Sequence, residues 1–361
     1  MFDLAIIGAG PAGATLARLI GKSYKVLLVD KRSFLDVPGP FSAGKCCGGL
    51  LAPDAQRMLS EFGLGLPKKV LQGPQLFVVK AIDIQQKLER YYQRHYINMD
   101  RQKFDSWLLS MVPTSVDTRT NFRFKSYSPE KGFFKLKFVQ GDRTYVEKAR
   151  ILIGADGASS KVRLQASPGS LIPGKYIAVQ EWVENDDSLP YFMSIFDREI
   201  TDYYCWTIPK GDYLIIGAAL QPKEKTAEKF RLLKETLRSN GFQFGKTVWR
   251  EGTYMLRPMK TKHLSTGKDR IAFIGEAAGW ISPSSAEGIS YAFRSAHALA
   301  QALHTTPDGF EKRYRIITSR LRRNISLKII KSHFIFNPYL RKMVMNSGLQ
   351  SVKLYLPKEG I

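Results

Sequence analysis

An α/β fold, α+β overall, is predicted for this chain of 361 residues by three observations. The N-terminus reads strand, glycine-rich turn, helix, strand, acid. The middle of the chain carries four apolar runs of strand character in close succession. The last fifty residues read as basic helix.

The N-terminal unit is the most informative. Residues 2–7, FDLAII, form a short strand pattern and are followed by Gly8-Ala9-Gly10-Pro11-Ala12-Gly13 and the amphipathic run ATLARLIG. A second apolar run, YKVLLVD, ends in Asp30, with Lys31 beside it. Together these make the Rossmann-like dinucleotide fingerprint in its full context. Gly8 permits the tight turn, Gly10 admits a pyrophosphate close to the backbone, and Gly13 lets helix and sheet touch. The helix that opens at Pro11-Ala12-Gly13 presents unpaired N–H groups and a partial positive charge to phosphate. Asp30 is the expected acceptor for an adenosine ribose. The unit alone leaves FAD and NAD both open.

Between residues 176 and 219 the runs YIAVQEWV, YFMSIF, YYCWTIP and YLIIGAAL suit an antiparallel sheet that walls a substrate pocket. Net charge is +23, which calls for anionic partners. From Glu311 onward there are twelve basic and two acidic residues, interleaved with apolar ones as in RLRRNISLKIIKSHFIF. Two readings stay open for that segment: a basic amphipathic helix on an anionic membrane surface, or a solvated helix packed on the core. No nucleic-acid module accompanies the charge. The N-terminal apolar run lacks the basic start of a signal peptide, and no window is apolar enough to span a bilayer. Three cysteines give no disulfide framework, which fits a reducing cytosol, and no Cys/His cluster suggests a metal.

Later stretches carry a family resemblance. ILIGADGASSKVR, residues 151–163, resembles the Asp-Gly motif of p-hydroxybenzoate hydroxylase-like flavoproteins, with Ala155, Asp156, Gly157, Ser160 and Arg163 in register. RIAFIGEAAGWISPSSAEGISYAFRSA, residues 270–296, is similar to their second flavin motif. The resemblance implies non-covalent FAD. It places Gly275, Glu276 and Gly279 at the ribityl chain, Pro283 in the shaping loop, and Glu287-Gly288-Ile289 at a helix start facing the flavin ring. Glu276 departs from the usual Asp, which shifts its reach. INMDRQKFDSWL, residues 97–108, matches as well and implies that Arg101 covers the pyrophosphate. The implied fold is a discontinuous FAD domain (residues 1–75, 96–168 and 255–305) with a mostly parallel sheet and helices on both faces. The implied substrate domain takes 76–95 and 169–254, and 306–361 forms the C-terminal helical segment.

Within that family, Lys45-x-Cys47-Gly48-Gly49-Leu50 and Tyr204-x-Trp206-x-x-Pro209-Lys210 resemble the geranylgeranyl reductase group. Cys46 stands where that group has Pro, and Ile208 where it has Phe. The resemblance implies catalytic positions for Cys47, Tyr204 and Trp206, with Gly48 and Gly49 bringing backbone to the flavin. Cys47 would donate a proton or line the pocket; Cys46 reads as a small buried hydrophobe. The implied reaction is hydride delivery from reduced FAD to a C=C bond of an isoprenoid-like lipid, with NAD(P)H or ferredoxin as electron donor. The rival readings are a monooxygenase or halogenase, and a flavin-binding protein without catalysis.

Overall fold

The computed structural model describes residues 1–34, 45–169, 173–185, 191–222 and 225–355. The strand Phe2–Ile7 is apolar because both its faces are covered: Leu4 and Ile6 point to one core, Phe2, Ala5 and Ile7 to another. It pairs in parallel with Val26–Val29 and with the end of Arg143–Gly154. Asp117–Arg119 and Ile271–Phe273 extend the parallel set, and Gly267–Lys268 adds an antiparallel edge.

Helices Pro11–Ile20 and Ile289–Thr305 cover one face through Leu16, Ala17, Ala296 and Leu299. Helices on both faces were expected, and the second face departs from this. It is covered mainly by an antiparallel ribbon of Arg123–Glu130, Phe133–Gln140 and the start of Arg143–Gly154. Phe124, Phe134, Leu136 and Phe138 of that ribbon pack on Phe2, Ala5, Ile7 and Leu27. Period-two alternation supplies an apolar face as well as a helix does.

Among the described residues the second sheet has nine strands. Thr247–Arg257, Gly174–Glu184, Tyr213–Leu220, Cys205–Lys210 and Tyr191–Phe196 run antiparallel in that order. The expected antiparallel sheet holds for all four of the runs that predicted it; beyond them, Tyr191–Phe196 runs parallel to Leu76–Asp83. These two strands are far apart in sequence, so no hairpin sets their direction. Leu88–Asn98 follows antiparallel, with Ser351–Val352 on its outer side and Leu50–Leu51 on its end. One face packs on helix Thr226–Ser239 through Phe230, Leu233 and Leu237. The other carries an aromatic cluster.

The C-terminal segment joins the two halves. In helix Phe310–Ile317, Phe310 and Tyr314 are fully buried in the first core. Helix Ser319–Phe336 begins on that half with Leu321 and Ile325 and ends on the aromatic cluster with Ile335 and Phe336. Helix Pro338–Ser347 docks on the second sheet, where Arg341 Nε meets the buried Asp83 carboxylate at 2.7 Å. The inner face therefore follows the core-packing reading of this segment. Its residues 356–361 lie outside the described part.

Candidate dinucleotide and substrate site

The glycine turn is forced by close backbone approach. Gly8 sits at φ +106, and a Cβ there would lie 2.4 Å from the Ala155 carbonyl oxygen. A Cβ on Gly13 would lie 1.8 Å from the Gly8 carbonyl oxygen. At Gly10, by contrast, it would meet nothing nearer than Arg32 Nη2 at 3.7 Å, so the turn is open there. Helix Pro11–Ile20 has no side-chain cap, which leaves its first N–H groups available to an anion. The residues present fit a dinucleotide pyrophosphate.

The acid that follows behaves differently from expectation. Asp30 is buried, and its Oδ2 accepts from Ala9 N–H at 2.7 Å and from Arg32 Nη2 at 3.1 Å. Its Oδ1 accepts from Arg32 N–H at 2.8 Å and Nε at 3.2 Å. All four lone-pair positions are thus engaged. Asp30 anchors the glycine turn, and a ribose would reach its oxygens only by displacing Arg32. Lys31 is exposed.

Arg32 continues to Asp105 at 2.8 Å, and Arg101 Nε reaches the same carboxylate at 2.8 Å. Burial pushes the Asp105 carboxyl up in pKa, but Arg101 and Arg32 outweigh it and hold it below the ordinary range. Arg101 is raised despite its own burial, by Asp105 and by Cys47. Asp105 was not singled out in the sequence. The signal was there in its i,i+4 spacing from Arg101 on helix Arg101–Ser110.

The Asp-Gly motif is mostly a brace. The Asp156 carboxylate accepts from Ser160 Oγ, Lys161 N–H and Val162 N–H, so it anchors the helix Lys161–Ala166. Gly157 takes φ +76. Arg163 donates to the Ala277 and His263 carbonyls, which ties this motif to the segment 270–296. There Gly275, at φ +57, packs against Ala12, and Gly279, at φ +85, ends the turn. Glu276 accepts from Leu256 N–H and from Lys45 Nζ, each at 2.9 Å, and keeps lone pairs free for a further donor. Pro283 is buried, as is Ile289 at the helix start. Glu287 caps its own helix through Ser290 N–H and Oγ, each at 2.7 Å, while Gly288 makes no side-chain cap.

The aromatic wall meets this turn directly. Tyr204 Oη donates to the Ser285 carbonyl at 3.0 Å, and Tyr203 Oη accepts from Ala286 N–H at 3.0 Å. Burial, then Tyr203, Tyr96 and Cys47, push the Tyr204 hydroxyl well up, so it stays protonated. Phe336 stacks on Tyr204 with ring centroids 6.4 Å apart. Trp206 lies flat enough on Gly217 that a Cβ there would come within 2.2 Å of its ring. Its Nε1 is buried and has no hydrogen-bond partner among the described residues.

The Cys47 loop sits between wall and charges. The thiols of Cys46, Cys47 and Cys205 are free. Cys46 is buried against the Ala178 carbonyl, and burial raises its pKa strongly. Cys47 is half-buried; its Sγ accepts from Gly49 N–H at 3.5 Å and interacts with Arg101. It lines a cleft with Lys45, Arg101, Gln102, Trp182, Lys210 and Glu251. A larger hollow of about 400 Å³, between Gln56 and Ile97, carries no ionisable side chain. The two glycines have reasons other than approach to a cofactor: a Cβ on Gly48 would strike Ile208 Cδ1 at 2.4 Å. One on Gly49, at φ +62, would strike the Met99 carbonyl oxygen at 2.2 Å.

Lys210 was quoted in the sequence motif without a role. Its ammonium is fully buried and donates to the Gly49 and Met99 carbonyls at 3.1 and 2.9 Å and to Asn98 Oδ1. It ties the cysteine loop to the strand Leu88–Asn98. Burial lowers its pKa to about 7.

The fold is shared with solved proteins of flavin-dependent type. It aligns with a geranylgeranyl bacteriochlorophyll reductase-like protein from Thermoplasma acidophilum at a TM-score of 0.81 and 19% identity, covering 95% of this chain and 90% of that one. PqsL, a probable FAD-dependent monooxygenase from Pseudomonas aeruginosa, aligns at 0.68 and 18% identity, covering 96% and 99%. At these identities the likeness is one of fold. No family model matches the chain. Protein CbrA of Escherichia coli O139:H28 (strain E24377A / ETEC) is 42% identical over 351 residues, 97% of this chain and 98% of that protein. The chain belongs to the CbrA family.

Proposed function

We propose that the protein binds FAD non-covalently and reduces a C=C bond of an apolar, isoprenoid-like substrate. One observation carries the reading: a half-buried thiol, Cys47, stands where the aromatic wall meets the Arg101–Lys210 charges. The helix starts at Pro11 and Ile289 and the free lone pairs of Glu276 would hold the cofactor, with Arg101, paired to Asp105, assigned to its pyrophosphate. Bound there, reduced FAD would supply the hydride chemistry for one carbon of the double bond. The other carbon needs a proton, and Cys47 is the donor assigned. Tyr204 keeps its proton but directs it to Ser285, so its part is to fix the turn against the wall. Trp206, Tyr96 and Phe192 offer an apolar surface for the substrate chain and exclude water. Lys210 fixes the cysteine loop through Gly49.

The test is anaerobic stopped-flow of dithionite-reduced protein with a panel of polyprenyl lipids. Reoxidation of the flavin, with a product heavier by hydrogen alone, is expected. Cys47→Ser should slow that step about 10²–10⁴-fold with FAD retained, as for a positioned proton donor. No reoxidation under nitrogen, alongside substrate-stimulated reoxidation in air, would move the assignment to an oxygenase.

A further inference from the structure

The outer face of the bridging helix Ser319–Phe336 is not used by the fold. Leu327, Ile330 and Phe334 are 61%, 58% and 47% exposed, and their spacing puts them on one stripe. Arg320, Arg323 and Lys331 are exposed on the same stripe. On the next helix, Tyr339 and Met343 are 78% and 68% exposed, with Lys342 exposed between them. Among the described residues, Arg341 is the one cation after Glu311 that is paired with a carboxylate.

We infer that this face docks the protein on an anionic lipid bilayer. Single exposed apolar residues need no explanation, but a continuous stripe rimmed by unpaired cations does. That pairing is the composition of an interfacial helix: aliphatic side chains enter the acyl boundary while arginine and lysine meet anionic headgroups. The chain's net charge of +23 draws it to such a surface. No helix among the described residues is long and apolar enough to cross, so attachment is peripheral. The end of the same helix packs Phe336 on Tyr203 and Tyr204, which sets the aromatic wall next to the docking face. The inference stands on the exposed face and does not depend on the hydride reading.

The experiment is co-sedimentation of the full-length protein with vesicles of phosphatidylcholine alone or with about one-third phosphatidylglycerol. Binding to the anionic vesicles, weak binding to the neutral ones, and loss at high salt are expected. Each cation near the surface contributes about fivefold, so Arg320→Gln/Arg323→Gln/Lys331→Gln together should weaken partitioning about a hundredfold. Leu327→Gln/Ile330→Gln/Phe334→Gln should lose at least tenfold with the cations intact. All six positions are exposed, and circular dichroism with thermal melting checks that the variants fold. Equal vesicle binding by wild type and both variants would overturn the inference. So would no binding by the wild type, or a concentration-dependent dimer abolished by the apolar variant with vesicle binding absent.

Discussion

The two halves of the molecule hold their working residues in different ways. In the dinucleotide half, the glycine turn is held by backbone against backbone: Gly13 against Gly8, Gly8 against Ala155. In the half built on the second sheet, the wall is held by long side chains that arrive from distant segments. Tyr204 binds the 282–287 turn, Lys210 grips Gly49 and Met99, and Arg341 reaches Asp83 from the C-terminal helices. Arg257 sits 4.2 Å from the Tyr203 ring centroid, 4.5 Å from that of Phe336 and 5.7 Å from that of Tyr176, a cation enclosed by three aromatic rings. Backbone contacts tolerate no added atom; side-chain clamps tolerate change in shape but not loss of the hydrogen-bonding group.

The comparison breaks most sharply at Arg341. Arg341→Ala leaves the Asp83 carboxylate buried without its partner, and a broken buried pair costs about 3–5 kcal/mol. Urea unfolding should show that loss, with early proteolysis of residues after 337 if the C-terminal helices detach first. A wild-type midpoint would mean that the clamp is redundant. Gly13→Ala asks the matching question of the other half. With no room for a Cβ, it should cost about 3 kcal/mol, the upper end for overpacking, and empty the protein of FAD. Full flavin content would contradict the close approach of Gly13 to Gly8.

Asp30→Ala sharpens the reading of the saturated carboxylate. It removes the anchor of Ala9 and releases Arg32, so FAD affinity should fall by about one to two decades, the worth of charge-assisted bonds of about 1.5–3 kcal/mol. Flavin titration into apo-protein measures it. If Arg32→Ala restores or improves affinity, Arg32 competes with the ribose; if it weakens affinity, Arg32 supports the site. The last test concerns Lys210. Its pKa in the folded protein, about 7, lies below the unfolded value, so between these values the unfolded chain holds the extra proton. Its contribution to stability therefore rises with pH from about 7 to the ordinary lysine range and is flat on either side. The stability of wild type relative to Lys210→Met should improve between pH 6.5 and about 9.5. A constant difference would place Lys210 in one protonation state throughout.

The amino-acid sequence by itself determined the dinucleotide unit, the strands of the second sheet and the helical, basic C-terminus. Each is encoded by local spacing: glycines at fixed offsets, alternation at period two, basic and apolar residues at helical intervals. Tertiary structure alone decided the partners. Asp30 reads as a ribose acceptor, and the fold adds Arg32 and Ala9 as partners on its lone pairs. Gly48 and Gly49 read as cofactor contacts, and the fold sets Ile208 and Met99 against them. The ribbon on the first sheet's second face and the parallel pair in the second sheet depend on which distant strand arrives, which no local period encodes. The C-terminal helix is the clearest case. Its sequence allowed either core packing or a membrane face, and the fold buries Leu321 and Ile325 and packs the partly buried Phe336 on the aromatic cluster while leaving Leu327, Ile330 and Phe334 in solvent, because a helix that bridges the two halves has only one side to give them.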